Sequence, residues 1–280
     1  MKLMVFSSGS SGNCTLIMTD KMNILVDVGI TKKAIDENLA KVGLSLRDIS
    51  YVFITHEHTD HIKALPQLLK LERLRFVTSA GTLNAISHIY SGANGKELEN
   101  LDKKVANDGF IILNRIEDTI MYPDLSFESL DVKVLPCFHD AAEPIGFVFC
   151  ENGKRICYIT DTGYVHRDLY DLITNCDAYI LESNHDPELL MASSRPYYTK
   201  LRIVGDHGHL SNEDSMCILA SVIGDNTKLI MHAHISQECN LSIIIEGVRR
   251  DVFKTYGIDR PDIEYVILGL VATKVYEIWK

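Results

Sequence analysis

Thr55-His56-Glu57-His58-Thr59-Asp60-His61 directly follows the apolar run Tyr51-Val52-Phe53-Ile54. Three imidazoles and two carboxylates fall within six residues, a density that a surface turn of average composition does not reach. Imidazole nitrogen and carboxylate oxygen are the donors that first-row divalent ions take at hydrolytic centres. The β-branched and aromatic run ahead of them predicts a buried strand, so the donors stand where a strand ends. Beyond the turn, Ile62, Leu65, Leu68 and Leu69 recur at helical spacing, and Pro66 falls early enough to be tolerated in a first turn. Strand, donor-bearing turn and helix make a rigid site. A polar turn that only capped the helix would have no need of His-x-His-x-Asp-His.

Upstream, Lys2 to Phe6 reads as a first strand, and Ser7 to Asn13 (SSGSSGN) is a small-residue turn whose glycines allow close backbone approach. Strands follow at Cys14 to Met18 and Asn23 to Asp27, which makes the turn a structured loop rather than a linker. Val26-Asp27-Val28-Gly29 sets a carboxylate at a strand end, ahead of a helix from about Thr31 to Val42 that stops at Gly43. Strand–Asp–helix and strand–His cluster–helix form a repeating βα pattern with strand ends on one rim.

Downstream, Arg75 to Thr78 is a short strand and Gly81 to Tyr90 a helix, with His88 on its surface. Residues 91 to 124 show no long element, being cut by Gly92, Gly95, Gly109 and Pro123. Leu130 to Leu135 leads into Cys137-Phe138-His139-Asp140. Ile145 to Cys150 pairs with Arg155 to Thr160 across an Asn152-Gly153 hairpin. Tyr158-Ile159-Thr160-Asp161-Thr162-Gly163 repeats the device of a strand ending in a carboxylate and a glycine. A helix around His166 to Ile173 precedes the strand Ala178 to Leu181 and Glu182-Ser183-Asn184-His185-Asp186. Gly205 to Asn212 carries His207 and His209 ahead of another helix, and Lys228 to Met231 ends in His232-Ala233-His234. A helix from Leu241 to about Tyr256 and strands near 263–268 and 273–278 close the chain, which reads as one domain over residues 1–280. Five strand ends thus carry metal-type residues: Asp27, His56 to His61, His139, Asp161 and His234. The seven donors His56, His58, Asp60, His61, His139, Asp161 and His234 suit two ions sharing one carboxylate, with room left for water.

With 46% hydrophobic residues in 280, the chain can bury a sizeable core. A formal charge of -10 argues against general attraction to nucleic acid or anionic membrane, leaving a local basic groove or a metal centre that attracts phosphate. Lys63, Arg195, Lys200 and Arg202 are the basic residues that could track a nucleic-acid backbone, although a solvated face is the commoner use of each. The seven cysteines are odd in number and scattered without a Cys-x-x-Cys pair, as in a reduced, cytoplasmic protein. No signal-peptide core or membrane span is visible.

These words resemble the metallo-β-lactamase superfamily: Asp27 to Gly29, His56-x-His58-x-Asp60-His61, His139, Asp161 and the late His234. SGSSGN at residues 8–13, LESNHD at 181–186, GHLSNED at 208–214 and AHISQE at 233–238 are similar to its branch of DNA exonucleases called YycJ or WalJ. Residues 91–126 match nothing in that branch, Cys239 replaces an amide residue, and His232 adds an imidazole, though Ala-His-Ile-Ser favours His234 as the donor. The resemblance implies an α/β protein with a four-layer αββα sandwich. It implies one divalent ion on His56, His58 and His139, another on Asp60, His61 and His234, and Asp161 between them. The ions would be zinc or manganese, and a hydroxide shared by them, oriented by Asp60, would attack phosphorus in line. Gly208-His209 resembles the equivalent loop of ribonuclease Z, which makes His209 the expected general acid. Ser211 is expected to hold a phosphate at a helix N-terminus that it also caps. Ser10, Ser11, Asn13, Asn184 and His185 are the remaining candidate substrate contacts. The implied activity is 5′→3′ cleavage of DNA rather than RNA. Hydrolysis of a small ester, thioester or lactam is the alternative, and a vestigial metal-binding domain is a third reading that the intact donor set opposes.

Overall fold

Val52 and Phe53, adjacent in the strand that leads to the histidines, bury their side chains in different cores. Side chains alternate across a strand, so a strand apolar on both faces must be covered on both. The same split recurs in the first strand, where Leu3 and Val5 share the core of Phe53 while Met4 and Phe6 share that of Val52. It recurs again late in the chain, where Met231 packs with the Phe53 set and Ile230 joins a third core.

The computed structural model describes residues 1–92 and 95–278. Its first part runs β1 (Lys2–Ser7), β2 (Cys14–Met18), β3 (Asn23–Val26), α1 (Lys32–Lys41), β4 (Ile49–Phe53), α2 (Thr59–Ile62) and α3 (Leu65–Leu68). Then come β5 (Arg75–Ser79), α4 (Ala80–Ser91), α5 (Lys96–Ala106), β6 (Phe110–Leu113) and β7 (Leu125–Ser126). Next are β8 (Asp131–Pro136), β9 (Ile145–Glu151), β10 (Lys154–Ile159), α6 (Tyr170–Ile173), β11 (Ala178–Glu182) and α7 (Pro187–Ala192). The chain ends with α8 (Tyr197–Val204), α9 (Asn212–Val222), β12 (Leu229–Ala233), α10 (Ser242–Thr255), β13 (Glu264–Ile267) and β14 (Tyr276–Glu277).

Two seven-stranded sheets result, in the orders β14-β1-β2-β3-β4-β5-β6 and β13-β12-β11-β10-β9-β8-β7. Their inner faces interdigitate, with the Phe53 ring edge-on to Phe147 and Phe149 at 5.2 and 5.3 Å. One outer core packs the first sheet against α1, α3, α4 and α5, and another packs the second sheet against α6, α9 and α10. Three cores separate four layers, the expected αββα sandwich. Strands β3 to β6 run parallel, as do β10 to β13, so their C-terminal ends gather on common rims.

Local chemistry accounts for most element boundaries. Thr31 caps α1 by accepting from Ala34 N, and Gly43 beyond its end adopts φ 75°. Asn152 and Gly153 both take positive φ, as a two-residue turn between β9 and β10 requires. Two stretches that looked featureless in sequence are ordered. The segment after Gly95 forms α5, whose Leu98 and Leu101 reach the outer core although most of its residues are charged. Residues 187–204, read without any element, form α7 and α8.

Candidate metal centre

Three strand ends turn sharply through non-glycine residues in the left-handed region: Asp27 at φ 58°, Asp161 at φ 55° and His234 at φ 50°. Such backbones cost about 1–3 kcal/mol each and persist where surrounding contacts over-determine them. At His234 the turn has a visible purpose. Met231 and Ala233 face the inter-sheet core, so strict alternation would put residue 234 on the helix side with His232. The left-handed residue breaks that alternation and brings His234 to the centre, where Nδ1 lies 2.7 Å from Asp161 Oδ1. His232 stays on the other face, buried, with neither ring nitrogen hydrogen-bonded. Burial, with Arg249 nearby, pushes its imidazole down to about 3. His234, not His232, joins the cluster.

All seven sequence-predicted donors converge. Donor atoms of His56, His58 and His139 lie within 4.8 Å of one another, as do those of His56, His61 and Asp161. His61 Nε2 is 3.3 Å from Asp161 Oδ2 and 3.5 Å from Asp60 Oδ2, and His234 Nε2 is 3.9 Å from Asp60 Oδ2. Outer partners hold several rings in place. His61 Nδ1–H donates to Asp27 Oδ2 at 2.7 Å, and His139 Nδ1–H donates to Gly208 O at 2.9 Å. His56 Nδ1–H donates to the Thr55 hydroxyl at 3.0 Å, which in turn donates to Asp27. With the outer nitrogen engaged, the inner one is free to face a cation.

The donor set fits a divalent ion. His56 Nε2 and Asp161 Oδ2 are buried without any hydrogen-bond partner, and the 2.7 Å contact of His234 Nδ1 lacks hydrogen-bond alignment. Buried polar atoms are rarely left so, and here they crowd around one volume lined by imidazole and carboxylate. The electrostatics agree. Burial works against the charge on Asp161, yet His234 and His61 hold its carboxyl well below the usual range. Burial would lower His61, but Asp27 and Asp161 together raise it well above an ordinary imidazole. His234 rises to about 9 against the same burial, because Asp161 and Glu182 face it. His56 is driven well down by burial and by its histidine neighbours.

The structure gives positions to two carboxylates outside the seven donors: Asp27, already singled out at a strand end, and Glu182. Asp27 is the outer partner of His61. Glu182, fully buried at the end of β11, accepts from His209 Nδ1–H at 2.7 Å and from Thr162 N at 3.0 Å. Asp161, Glu182, His209 and His234 form a further group with donor atoms within 4.8 Å. The signal for Glu182 was present, since it ends a strand one position beyond an apolar run, as the other site residues do.

The candidate substrate contacts divide. Ser10 and Asn184 line a cavity of about 160 Å³ together with Arg195, Arg202, Ile203, His209 and His234. Ser11 is exposed on the same loop. Asn13 is buried instead, and its Nδ2 donates to Asp60 Oδ2 at 3.2 Å while its Oδ1 accepts from Gly9 N, so it holds Asp60 in place. His185 is buried outside the cavity lining. Ser211 also lies outside it and caps α9, accepting from Asp214 N at 3.1 Å. Lys200 does not face a groove, because its buried ammonium donates to the carbonyls of Met191 and Ser193.

Gly29 makes the approach of these loops possible. Its amide donates to Asn13 O, and a Cβ there would stand 1.5 Å from Asp60 O. Gly29→Ala is expected to cost about 3 kcal/mol in urea unfolding and to lower metal content with it. Gly43→Ala, with nothing within 4 Å, costs about 1 kcal/mol through its positive φ alone and leaves metal content intact. Asp27→Asn tests the outer partner, since asparagine tolerates the same backbone. Metal affinity, measured by competition with a chromophoric chelator, is expected to fall roughly 10–100-fold while secondary structure is retained.

A two-sheet sandwich with imidazole and carboxylate donors on its rim defines a divalent-metal site of the hydrolase type. Residues 22–233 match the family model of the beta-lactamase superfamily domain, and the chain belongs to that family. It is 35% identical over 237 residues to exodeoxyribonuclease YycJ of Bacillus anthracis, covering 85% of this chain and 83% of that one. It is 33% identical over 240 residues to exodeoxyribonuclease WalJ of Streptococcus pneumoniae, covering 86% and 83%. Its fold superposes on the short form of human tRNase Z with a TM-score of 0.66 over all of both chains, at 18% identity. Among the described residues no helix is long and apolar enough to cross a membrane.

Proposed function

We propose that this chain is a cytoplasmic, dinuclear metal-dependent phosphodiesterase that degrades DNA exonucleolytically in the 5′→3′ direction. The observation that carries this reading is His209. Its ring lies 4.7 Å from that of His139 and 5.2 Å from that of His234, and Glu182 engages its Nδ1. It lines the same cavity as Arg195 and Arg202. An oriented imidazole beside metal donors and two guanidiniums suits a substrate with anionic oxygens and a leaving group in need of a proton. The relatives named as exodeoxyribonucleases support DNA as that substrate.

His56, His58 and His139 would hold one ion and Asp60, His61 and His234 the other, with Asp161 shared. Bound zinc or manganese supplies Lewis acidity and water activation. The chain's own residues do the rest. Asp60, the carboxylate of the cluster that solvent reaches, with 21% of its side chain exposed, orients the attacking water. The Arg195–Glu238 and Arg202–Asp140 pairs are solvent-exposed at 2.9 and 2.6 Å, so each guanidinium is free to exchange its carboxylate for a phosphate. His209 gives its Nε2 proton to the departing oxygen, and the Glu182 carboxylate stabilises the imidazolium before transfer. All seven cysteines are free, in keeping with a reducing compartment.

The test is cleavage of linear duplex, single-stranded and covalently closed circular DNA by protein loaded with zinc or manganese. Linear DNA should shorten from its 5′ ends while circles survive. Hydrolysis of simple esters or thioesters with every DNA left intact would reverse the proposal in favour of a small-molecule hydrolase.

A further inference from the structure

Helix α8 presents a surface that the catalytic reading leaves unused. Tyr197 and Tyr198 are 69% and 75% exposed, and Leu201 and Val204 follow on the same helix, also exposed. Neither tyrosine has a ring contact or hydrogen bond among the described residues. Two adjacent, unpaired aromatic rings on one short helix are a costly use of surface unless something covers them.

Their place on the helix says what that is. Tyr198 and Arg202 are four residues apart, so they share one face of α8 about one turn, or 5.4 Å, from each other. Arg202 lines the cavity that holds His209 and His234, and its guanidinium contacts Asp140, whose other oxygen lies 3.0 Å from His139 Nε2. Arg195, just before the helix, lines the same cavity. Arg195 and Arg202 at the cavity thus flank Tyr197 and Tyr198 along the chain, a path of two cations and two aromatic rings beside the metal centre, in a chain whose formal charge is -10. A polyanion with flat apolar faces at intervals is complementary to such a path, and single-stranded nucleic acid has that chemistry.

We propose that Tyr197 and Tyr198 form a stacking platform for the unpaired bases next to the scissile phosphodiester, with Arg195 and Arg202 holding the adjoining phosphates. This rests on the nuclease reading and extends it to substrate form: the strand reaches the centre unpaired. Stacking is indifferent to base identity, so the platform serves degradation without sequence preference.

The experiment compares wild type with the double variants Tyr197→Ala/Tyr198→Ala and Tyr197→Phe/Tyr198→Phe on three substrates. These are a single-stranded oligodeoxynucleotide, the same oligonucleotide with abasic sites replacing its terminal bases, and bis(p-nitrophenyl) phosphate. Both tyrosines are exposed, so the fold should tolerate either change. The alanine variant is expected to raise KM on the normal oligonucleotide roughly 10-fold or more, and the phenylalanine variant to restore it. Wild type and alanine variant should be alike on the abasic strand and on the small diester. An alanine variant with wild-type KM on the normal oligonucleotide overturns the platform and leaves the nuclease reading standing. An equal loss on the abasic strand also overturns it, since no base is there to stack. A change of oligomeric state in sedimentation velocity would assign the face to a second copy of the chain and overturn it too. Wild type that cleaves linear duplex but not the single-stranded oligonucleotide overturns the platform and leaves the nuclease reading standing, whereas wild type that cleaves the small diester but no DNA of any form overturns both.

Discussion

His209→Ala is expected to slow cleavage of DNA by roughly 10²–10⁴-fold while leaving metal content unchanged. The leaving alkoxide of DNA needs a proton, whereas p-nitrophenolate departs without one, so a p-nitrophenyl diester should lose far less. Glu182→Gln belongs in the same series. His209 Nδ1–H donates to Glu182 Oε1 at 2.7 Å, and a neutral amide there cannot stabilise the imidazolium that must form before proton transfer. Its loss should follow the same leaving-group pattern, at smaller size. The structure raises the stakes of this comparison, because His209 stands 3.9 Å from Asp161 and within donor reach of His234 and Glu182. Elemental analysis of His209→Ala decides between the two uses. Loss of an ion with loss of both activities would make His209 a ligand and leave the reaction without its proposed acid.

The second large effect is expected at Asp161, where two ions would share one carboxylate. Its Oδ1 faces His234 and its Oδ2 faces His61, with no hydrogen bond to occupy the latter. Asp161→Asn is the informative variant. Asparagine tolerates the left-handed backbone at φ 55°, so the strand end keeps its course, but the amide cannot balance cations on both sides. Metal content should fall from about two ions per chain to one or fewer. Removing an outer partner of a ligand costs roughly 10–100-fold in affinity or activity, so losing the shared donor should cost on the order of 10³-fold or more. His234 should also titrate lower than about 9, since Asp161 is the foremost group holding it up. Asp161→Ala adds a backbone penalty of about 1–2 kcal/mol and so mixes two effects that the asparagine variant separates. Wild type that never retains more than one ion with metal in excess would remove the shared-carboxylate scheme altogether.

The donors were legible because each chemically unusual residue sits at the end of an apolar strand, and parallel strands deliver their ends to one rim. His56 to His61, His139 and Asp161 could be picked as candidates on that ground, and the late strand end offered His232 and His234 together. The sandwich was legible only through the family resemblance, and the structure supplies its physical reason, since strands apolar on both faces demand two covering layers each. Helix α5 escaped because its charged residues outnumber the few apolar positions that hold it, and α8 because its exposed tyrosines look like neither a core stripe nor a strand.

By itself, then, the sequence determined which residues are chemically able to bind a cation and along which strands they arrive. The tertiary structure alone decided how they are aimed. Choosing His234 over His232 depended on a single left-handed residue that breaks strand alternation, and no local propensity announces it. The partnering of Asp27 with His61, and of Glu182 with His209, joins residues that are 34 and 27 positions apart. Asn13 became a support for Asp60, and Lys200 a cap on two carbonyls, because burial removed the water that would have left them free. Residue type is a property of the chain, but orientation, burial and partner arise only when distant segments meet. For that reason the candidate donors could be named early, while the groups that position them had to be seen.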